Sequence, residues 1–227
     1  MSRRLIILFC AIILINSEQY ITPCRQDDRI CLTRNSNSLY KMSVAGDPSL
    51  NIENLDPMYQ KRIDGNLGII NYTFYNSTIT GFSECDVKSS LSFDLFCPTF
   101  KIYGKYNVTG FLIAVPLEGN GDYNVLCKDY DVHIDTEFKI NQNKDGVKYL
   151  KFKSYRVDGE LQGKMVTDLT NLFNGQHKEL VLRFMNDNWK PVSKILQGPV
   201  FKANVRKLIK NFNKYLKRIP VHRLVVQ

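Results

Sequence analysis

Hydrophobic and polar positions alternate over long distances in the first two thirds of the chain, and then the period changes. Between Tyr130 and Ile140 the even positions Tyr130, Val132, Ile134, Phe138 and Ile140 are apolar, with Asp131, His133, Asp135, Glu137 and Lys139 between them. A period of two residues belongs to a strand with one buried face. LSFDLFCP likewise sets Leu91, Phe93, Leu95 and Cys97 on one side. FKIYGKYNVTGFLIAVP sets Phe100, Ile102, Tyr106 and Val108 against Lys101, Lys105, Asn107 and Thr109. LGIINYTFYNSTIT and VKYLKFKSYRV read as further strands. Runs this long exceed the usual strand of about 5–6 residues and predict a large, strongly curved antiparallel sheet. Within FLIAVPLEGNGDYNV, Gly119 and Gly121 lack the third glycine of a phosphate loop, and strand-like alternation follows where that loop would open a helix. Gly119-Asn120-Gly121 therefore predicts the turn of a β-hairpin.

After Gly159 the pattern turns helical. From Val192 onward Ile195, Leu196, Val200, Ala203, Leu208, Ile209, Phe212, Tyr215, Leu216 and Ile219 form the stripe of a long amphipathic helix, which Pro191 and Pro199 should start, kink or interrupt. A shorter helix is predicted from about Asp27 to Lys41, followed by an irregular stretch ending in NLDPMYQ. The fold class is α+β: a curved antiparallel sheet with a long C-terminal helix and a short N-terminal one. A sheet wrapped on such a helix can leave an apolar tunnel between the layers.

The first 17 residues, MSRRLIILFCAIILINS, have a basic start, an apolar stretch too short for a bilayer and a small residue at the end. They predict a secretory signal cut before Glu18, leaving residues 18–227 as one secreted, extracellular domain. No later stretch is apolar enough to span a membrane. Cys10 leaves with the signal, and the remaining Cys24, Cys31, Cys85, Cys97 and Cys127 are expected to pair in an oxidising compartment. Cys24 and Cys31 are the expected first pair. Inside one continuous helix their Cα atoms would be about 10 Å apart, beyond disulfide reach, so Cys24 belongs to a segment folded back on a helix that carries Cys31. Among Cys85, Cys97 and Cys127 one thiol is left over. Asn71-Tyr-Thr, Asn76-Ser-Thr and Asn107-Val-Thr are glycosylation acceptors. Asn71 and Asn76 stand an odd number of residues apart, so either only one of them is glycosylated or a bulge or turn breaks the strand between them. Loss of Arg3 and Arg4 lowers the formal charge from +9 to +7, a balance that suits anionic surfaces without naming a partner.

The Cys24/Cys31 pair, NLDPM, GFSECDV, YGKYNVTGFLIAVPLEGNGDYNV, NLFNG and FMNDNWKPV occur in the order found in the takeout family, secreted insect proteins related to the juvenile-hormone-binding proteins. The chain resembles that family over essentially the whole of 18–227. The resemblance implies a single domain in which the sheet wraps the long helix around a hydrophobic tunnel, as in lipid-binding proteins of the bactericidal/permeability-increasing type. It also implies non-covalent carriage of a small apolar ligand, terpenoid, juvenile-hormone-like or fatty-acid-derived. No cysteine lies beyond Cys127, whereas the moth hormone carriers have a second disulfide reaching into the C-terminal half; this places the chain in the broader takeout group.

Catalytic chemistry finds little support. The histidines are His133, His177 and His222, and neither G-x-S-x-G nor H-E-x-x-H occurs. Asp131, His133 and Asp135 share a strand face and could ligate a metal, but alternation alone accounts for them. The expectation is a protein that is not an enzyme, with no metal and no cofactor. Lys202, Arg206, Lys207, Lys210, Lys214, Lys217 and Arg218 crowd the polar side of the last helix, either as a solvated face or as a surface for weak contact with an anionic membrane or partner. Nucleic acid is not expected, because no stacking aromatics interleave these cations. Trp189 and Phe184 read as core. Alternation nominates Phe93, Leu95, Tyr106 and Val108 as the sheet side of a ligand site and Phe212 and Tyr215 as the helix side, with Tyr149 as a polar anchor. The expected species is a monomeric carrier; the rival is a membrane- or partner-binding module using the basic helix face.

Overall fold

The computed structural model describes residues 21–89, 93–112, 115–175 and 178–226. Residues 1–17, expected from the sequence to be a secretory signal, together with Leu91 and His177, lie outside the described residues. Asp28 starts the first helix, α1 (Arg29–Ala45), by accepting a hydrogen bond from the Cys31 backbone N–H at 2.9 Å. Gly46 at φ +73° ends it, one turn past the predicted Lys41. Cys24, on the short strand β1 (Cys24–Arg25), folds back on α1 and is joined to Cys31 with the Cα atoms 5.7 Å apart. Strand β1 pairs in parallel with β9 (Val225–Val226). A second disulfide joins Cys85 to Cys97, and the Cys127 thiol is free and buried. Replacing Cys24 and Cys31 together with serine is expected to lower the unfolding free energy by about 2–3 kcal/mol, the loop-entropy value for so small a ring. Urea denaturation of the double variant checks this through the midpoint.

The sheet has the spatial order β2 (Met58–Asn66), β3 (Ile70–Thr80), β5 (Phe93–Leu112), β6 (Val115–Gln142), β7 (Lys148–Leu161), all antiparallel. Strand β4 (Asp86–Ser89) adds to β5 and β8 (Met165–Leu169) to β6. At about 3.3 Å per residue, β5 alone runs for about 65 Å, and a twisted sheet that long curls into a half-barrel. Two helices follow, α2 (Lys178–Asp187) and α3 (Trp189–Leu216). Helix α3, about 42 Å long, lies in the hollow and packs on both edge strands, β2 and β7. It runs through Pro199 unbroken, and Pro191 falls in its first turn, where a missing N–H costs least. Asn211 of α3 donates to Ser43 O at 2.8 Å and to Glu53 O at 2.7 Å, tying α1 to the same end.

Gly119-Asn120-Gly121 does not turn the chain. It lies inside β6, opposite Tyr106, Asn107 and Val108 of β5, and the hairpin reverses between Leu112 and Val115. The glycines are there because another segment crosses them. A Cβ on Gly121 would sit 2.3 Å from Thr170 Oγ1, and one on Gly119 would sit 3.0 Å from Leu172 Cδ1. Thr170 donates its N–H to Asp122 O at 2.9 Å, while Asp122 N–H donates to Thr170 Oγ1 at 2.7 Å. Close backbone approach explains the glycines.

Strand β2 escaped the alternation because its inward positions include Gln60, which donates to the buried Asn204 of α3 at 3.0 Å. Strands β4 and β8 and helix α2 are short elements whose patterns are too brief to separate from loop. The motif residues hold the frame. Asp56 of NLDPM accepts from Gly81 N–H at 3.1 Å and Ser83 N–H at 2.8 Å, and Tyr40 of α1 donates to Phe82 O at 2.8 Å.

Candidate functional site

The packing along α3 changes from one end to the other. Its C-terminal half is solid: Phe212 is fully buried against Phe93 and Phe152. Around Val200, Phe201 and Val205 two small voids of about 40 and 70 Å³ appear, with Cys127 and Tyr130 in the walls of both. At the N-terminal half the space opens into an apolar cavity of about 260 Å³. Strands β3, β5 and β6 form its floor through Tyr72, Phe74, Tyr106, Val108, Tyr123 and Val125. Helix α3 supplies Val192, Ile195 and Leu196, and Leu172 seals the side where its segment crosses Gly119. Helix α2 covers the remainder with Val181, Phe184 and Met185. Phe184 is 62% exposed and its neighbour Leu180 66%, so this cover carries apolar surface to the outside as well. Asn186 fixes the cover to β8: its side chain accepts from Thr167 N–H at 2.7 Å and donates to Thr167 O at 3.0 Å.

Among the described residues no charged side chain lines the cavity. Its ionisable groups are phenols, and burial pushes Tyr106 and Tyr123 up to about 12 and raises Tyr72 as well. All three stay protonated at physiological pH, so each hydroxyl keeps a proton to donate. The Tyr106 hydroxyl is already engaged, donating to Thr170 O at 2.7 Å. The Cys127 thiol is likewise raised to about 12 by burial, which leaves it protonated and inert.

A larger groove of about 550 Å³ lies alongside, lined among others by Lys88, Asp131, Glu160, Lys190 and Lys194. Its charged side chains make it a poor site for an apolar ligand. His133 stands in it between Asp94, with which it makes a close hydrogen bond, and Asp135 at 3.1 Å; the bond to Asp94 holds its pKa above the ordinary imidazole value. Asp131 accepts instead from Gln162 at 3.1 Å. Among the described residues no group of three His, Cys, Asp or Glu side chains is placed to hold a metal ion.

The nominated residues separate along the molecular axis. Tyr106 and Val108 line the large cavity, and Leu95 lies between the smallest void and the charged groove. Phe93, Phe212 and Tyr215 are buried in the solid end. Tyr149 sits half-buried on β7, bridged to Pro220. Trp189 is half-buried against the core, whereas Phe184 lines the cavity. The lining residues Tyr72, Tyr123, Thr167 and Leu172 were not nominated. Tyr123, Val125 and Cys127 alternate as clearly as any strand, and that alternation is the signal for them. On the basic face Lys202, Arg206, Lys210, Lys217 and Arg218 are exposed, while Lys207 pairs with Glu53 at 2.6 Å and Lys214 donates to Asn51 O. Asn71, Asn76 and Asn107 are all exposed; a bulge interrupts β3 between Tyr75 and Thr78, with Asn76 at φ +48°.

Comparison with known proteins agrees with this architecture. The family model described as haemolymph juvenile hormone binding protein matches residues 5–226. The circadian clock-controlled protein daywake of Drosophila melanogaster is 24% identical over 213 residues, covering 82% of this chain and 81% of the fly protein. Daywake of Drosophila yakuba is 21% identical over 202 residues, covering 79% and 77%. The crystal structure of Epiphyas postvittana Takeout 1 superposes with a TM-score of 0.80 at 24% identity, over 91% of this chain and 100% of that one.

Proposed function

The chain belongs to the haemolymph juvenile hormone binding protein family, and on that premise we propose that it carries a small hydrophobic ligand, terpenoid or fatty-acid-derived, non-covalently in the cavity beneath α2. The observation that carries this reading is an apolar space of about 260 Å³ with no charged side chain among the described residues of its wall. That is just under the volume range of about 300–1,000 Å³ typical of ligand sites, before the inner voids are added. The family's model is that of a binding protein, which supports transport over conversion. Organic extraction of protein purified from a secreting eukaryotic host, followed by mass spectrometry, is expected to release an apolar compound at near-stoichiometric yield. A clean extract together with no binding of N-phenyl-1-naphthylamine overturns the proposal.

Secretion and glycosylation belong to the same reading. Because the bulge at Asn76 brings it to the same outer face as Asn71, glycopeptide mapping is expected to find sugar at Asn71, Asn76 and Asn107. Complete absence of sugar at Asn107 would contradict the outward orientation of that face.

A second reading is favoured by one observation, the row of exposed cations Lys202, Arg206 and Lys210 on successive turns of α3. Such a row would bind anionic vesicles weakly, with an affinity that falls steeply as salt rises. Vesicle sedimentation at low and high salt, with Arg206→Glu/Lys210→Glu as control, tests it; salt-insensitive binding, or none, removes it.

A further inference from the structure

Charge is spread unevenly over the molecule. The chain has 31 Lys and Arg against 22 Asp and Glu, and residues 137–156 with 188–227 hold sixteen of the former but only Glu137 and Asp145 of the latter. The two segments meet at the solid end. Phe152 of β7 stacks on Phe212 of α3, its N–H donates to Asn213 at 2.9 Å, and Tyr149 bridges to Pro220. Beyond that contact the β6–β7 hairpin projects from the body, with every residue from Glu137 to Gly146 exposed.

The cations of this end are set against their own repulsion. Lys139 of β6 stands directly opposite Lys151 of β7 in the ladder, a like-charge pair that weakens a sheet. Lys202, Arg206 and Lys210 repeat every four residues on α3, which weakens a helix in the same way. Lys153 and Lys207 have carboxylates at 3.2 and 2.6 Å, but among the described residues none pairs with Lys139, Lys151, Arg206, Lys210, Lys217 or Arg218. An anion lying between such charges would remove the repulsion.

These groups face two ways. Phe138 meets Phe152 on the inner face of the hairpin, so Lys139 and Lys151 stand on the outer face. Arg206, Lys210 and Lys217 lie on the side turned away from the buried Phe212, and so away from the sheet. A flat bilayer meets one of these faces and leaves the other in water. A flexible linear polyanion passes round the end and meets both. We infer that the solid end binds a sulfated polysaccharide, whose chain runs from the outer face of the hairpin past Lys217 and Arg218 to the cation row of α3. Such polymers are extracellular, the compartment in which disulfides like those of this chain persist. The inference stands whatever fills the cavity at the other end.

Titration calorimetry with heparin tests the inference. Affinity is expected to fall at least about tenfold between about 0.1 and about 0.3 M salt, as release of counterions from about three neutralised charges requires. Lys139→Glu/Lys151→Glu exchanges one like-charge pair for another, so the hairpin keeps its stability while its outer face changes sign. That variant and Arg206→Glu/Lys210→Glu should each weaken heparin binding about tenfold. Lys101→Glu/Lys128→Glu, the same change of net charge in the middle of the sheet, should stay within about twofold. A heparin tetrasaccharide, too short to pass round the end, should bind at least about tenfold more weakly than the long chain. Failure of heparin to bind at the lower salt overturns the inference, and so does an equal loss in the mid-sheet variant, which would reduce the effect to net charge. A loss confined to the α3 variant overturns it in favour of a flat contact. Tighter binding to phosphatidylserine vesicles or single-stranded DNA than to heparin overturns it by giving the surface to another polyanion.

Discussion

Phe212→Ala is expected to lower the unfolding free energy by about 3–5 kcal/mol, the range for truncating a buried aromatic ring. Phe212 has no exposed surface. Its ring meets Phe93 edge-on at 5.1 Å and 77°, and stacks on Phe152 at 5.4 Å and 27°. It therefore joins α3 to β5 and β7 at once. The neighbourhood is held from outside by the Asn211 hydrogen bonds to Ser43 and Glu53 and by Asn213, which accepts from the Phe152 N–H at 2.9 Å. Backbone so tethered cannot collapse into the space left behind, which puts the loss in the upper part of the range. Calorimetry should show the melting temperature fall by about 10 °C or more, at roughly 2–4 °C per kcal/mol for a chain of this size. Ligand affinity of the folded fraction should not change. A loss under about 1 kcal/mol would mean that the solid end is not solid.

Val125→Trp is expected to do the reverse, abolishing ligand binding at modest cost in stability. Val125 lines both the large cavity and the 70 Å³ void, as do Tyr123 and Thr167. An indole projecting from β6 at that point occupies the space instead of displacing packed neighbours, so the usual overpacking cost of about 1–3 kcal/mol is an upper bound. N-phenyl-1-naphthylamine affinity should fall by at least about 100-fold, or about 2.7 kcal/mol. Retained binding would place the ligand elsewhere.

Much of the frame was legible because alternation and the helical stripe report which side of an element faces inward. Phe93, Tyr106 and Phe212 are buried as that pattern requires. What alternation cannot report is whether the inside is filled. Phe212 and Leu196 belong to one stripe on one helix, yet the first is embedded in aromatic rings and the second borders empty space. The difference comes from residues distant in sequence. Leu172 reaches the cavity because two glycines let its segment cross β6, and α2 is held over it by Asn186 and by the Lys178–Asp168 ion pair to β8. Gln60 hid β2 for a related reason: its polar side chain faces inward to meet Asn204, a partner 144 positions away.

The Cys85–Cys97 disulfide and the larger aromatic cluster lie together, away from the cavity. Cys85 and Cys97 belong to the same packed group as Phe93 and Phe212, whereas Tyr106, Leu117, Tyr123 and Leu172 form a separate group around the hollow. Substitutions in the cavity wall therefore leave the element that secures folding untouched. A lineage of such chains can exchange cargo by drift at a few wall positions, each change tested for ligand and hardly at all for stability. Identity of 24% with Epiphyas postvittana Takeout 1, under a shared fold, is the divergence such a division of labour permits.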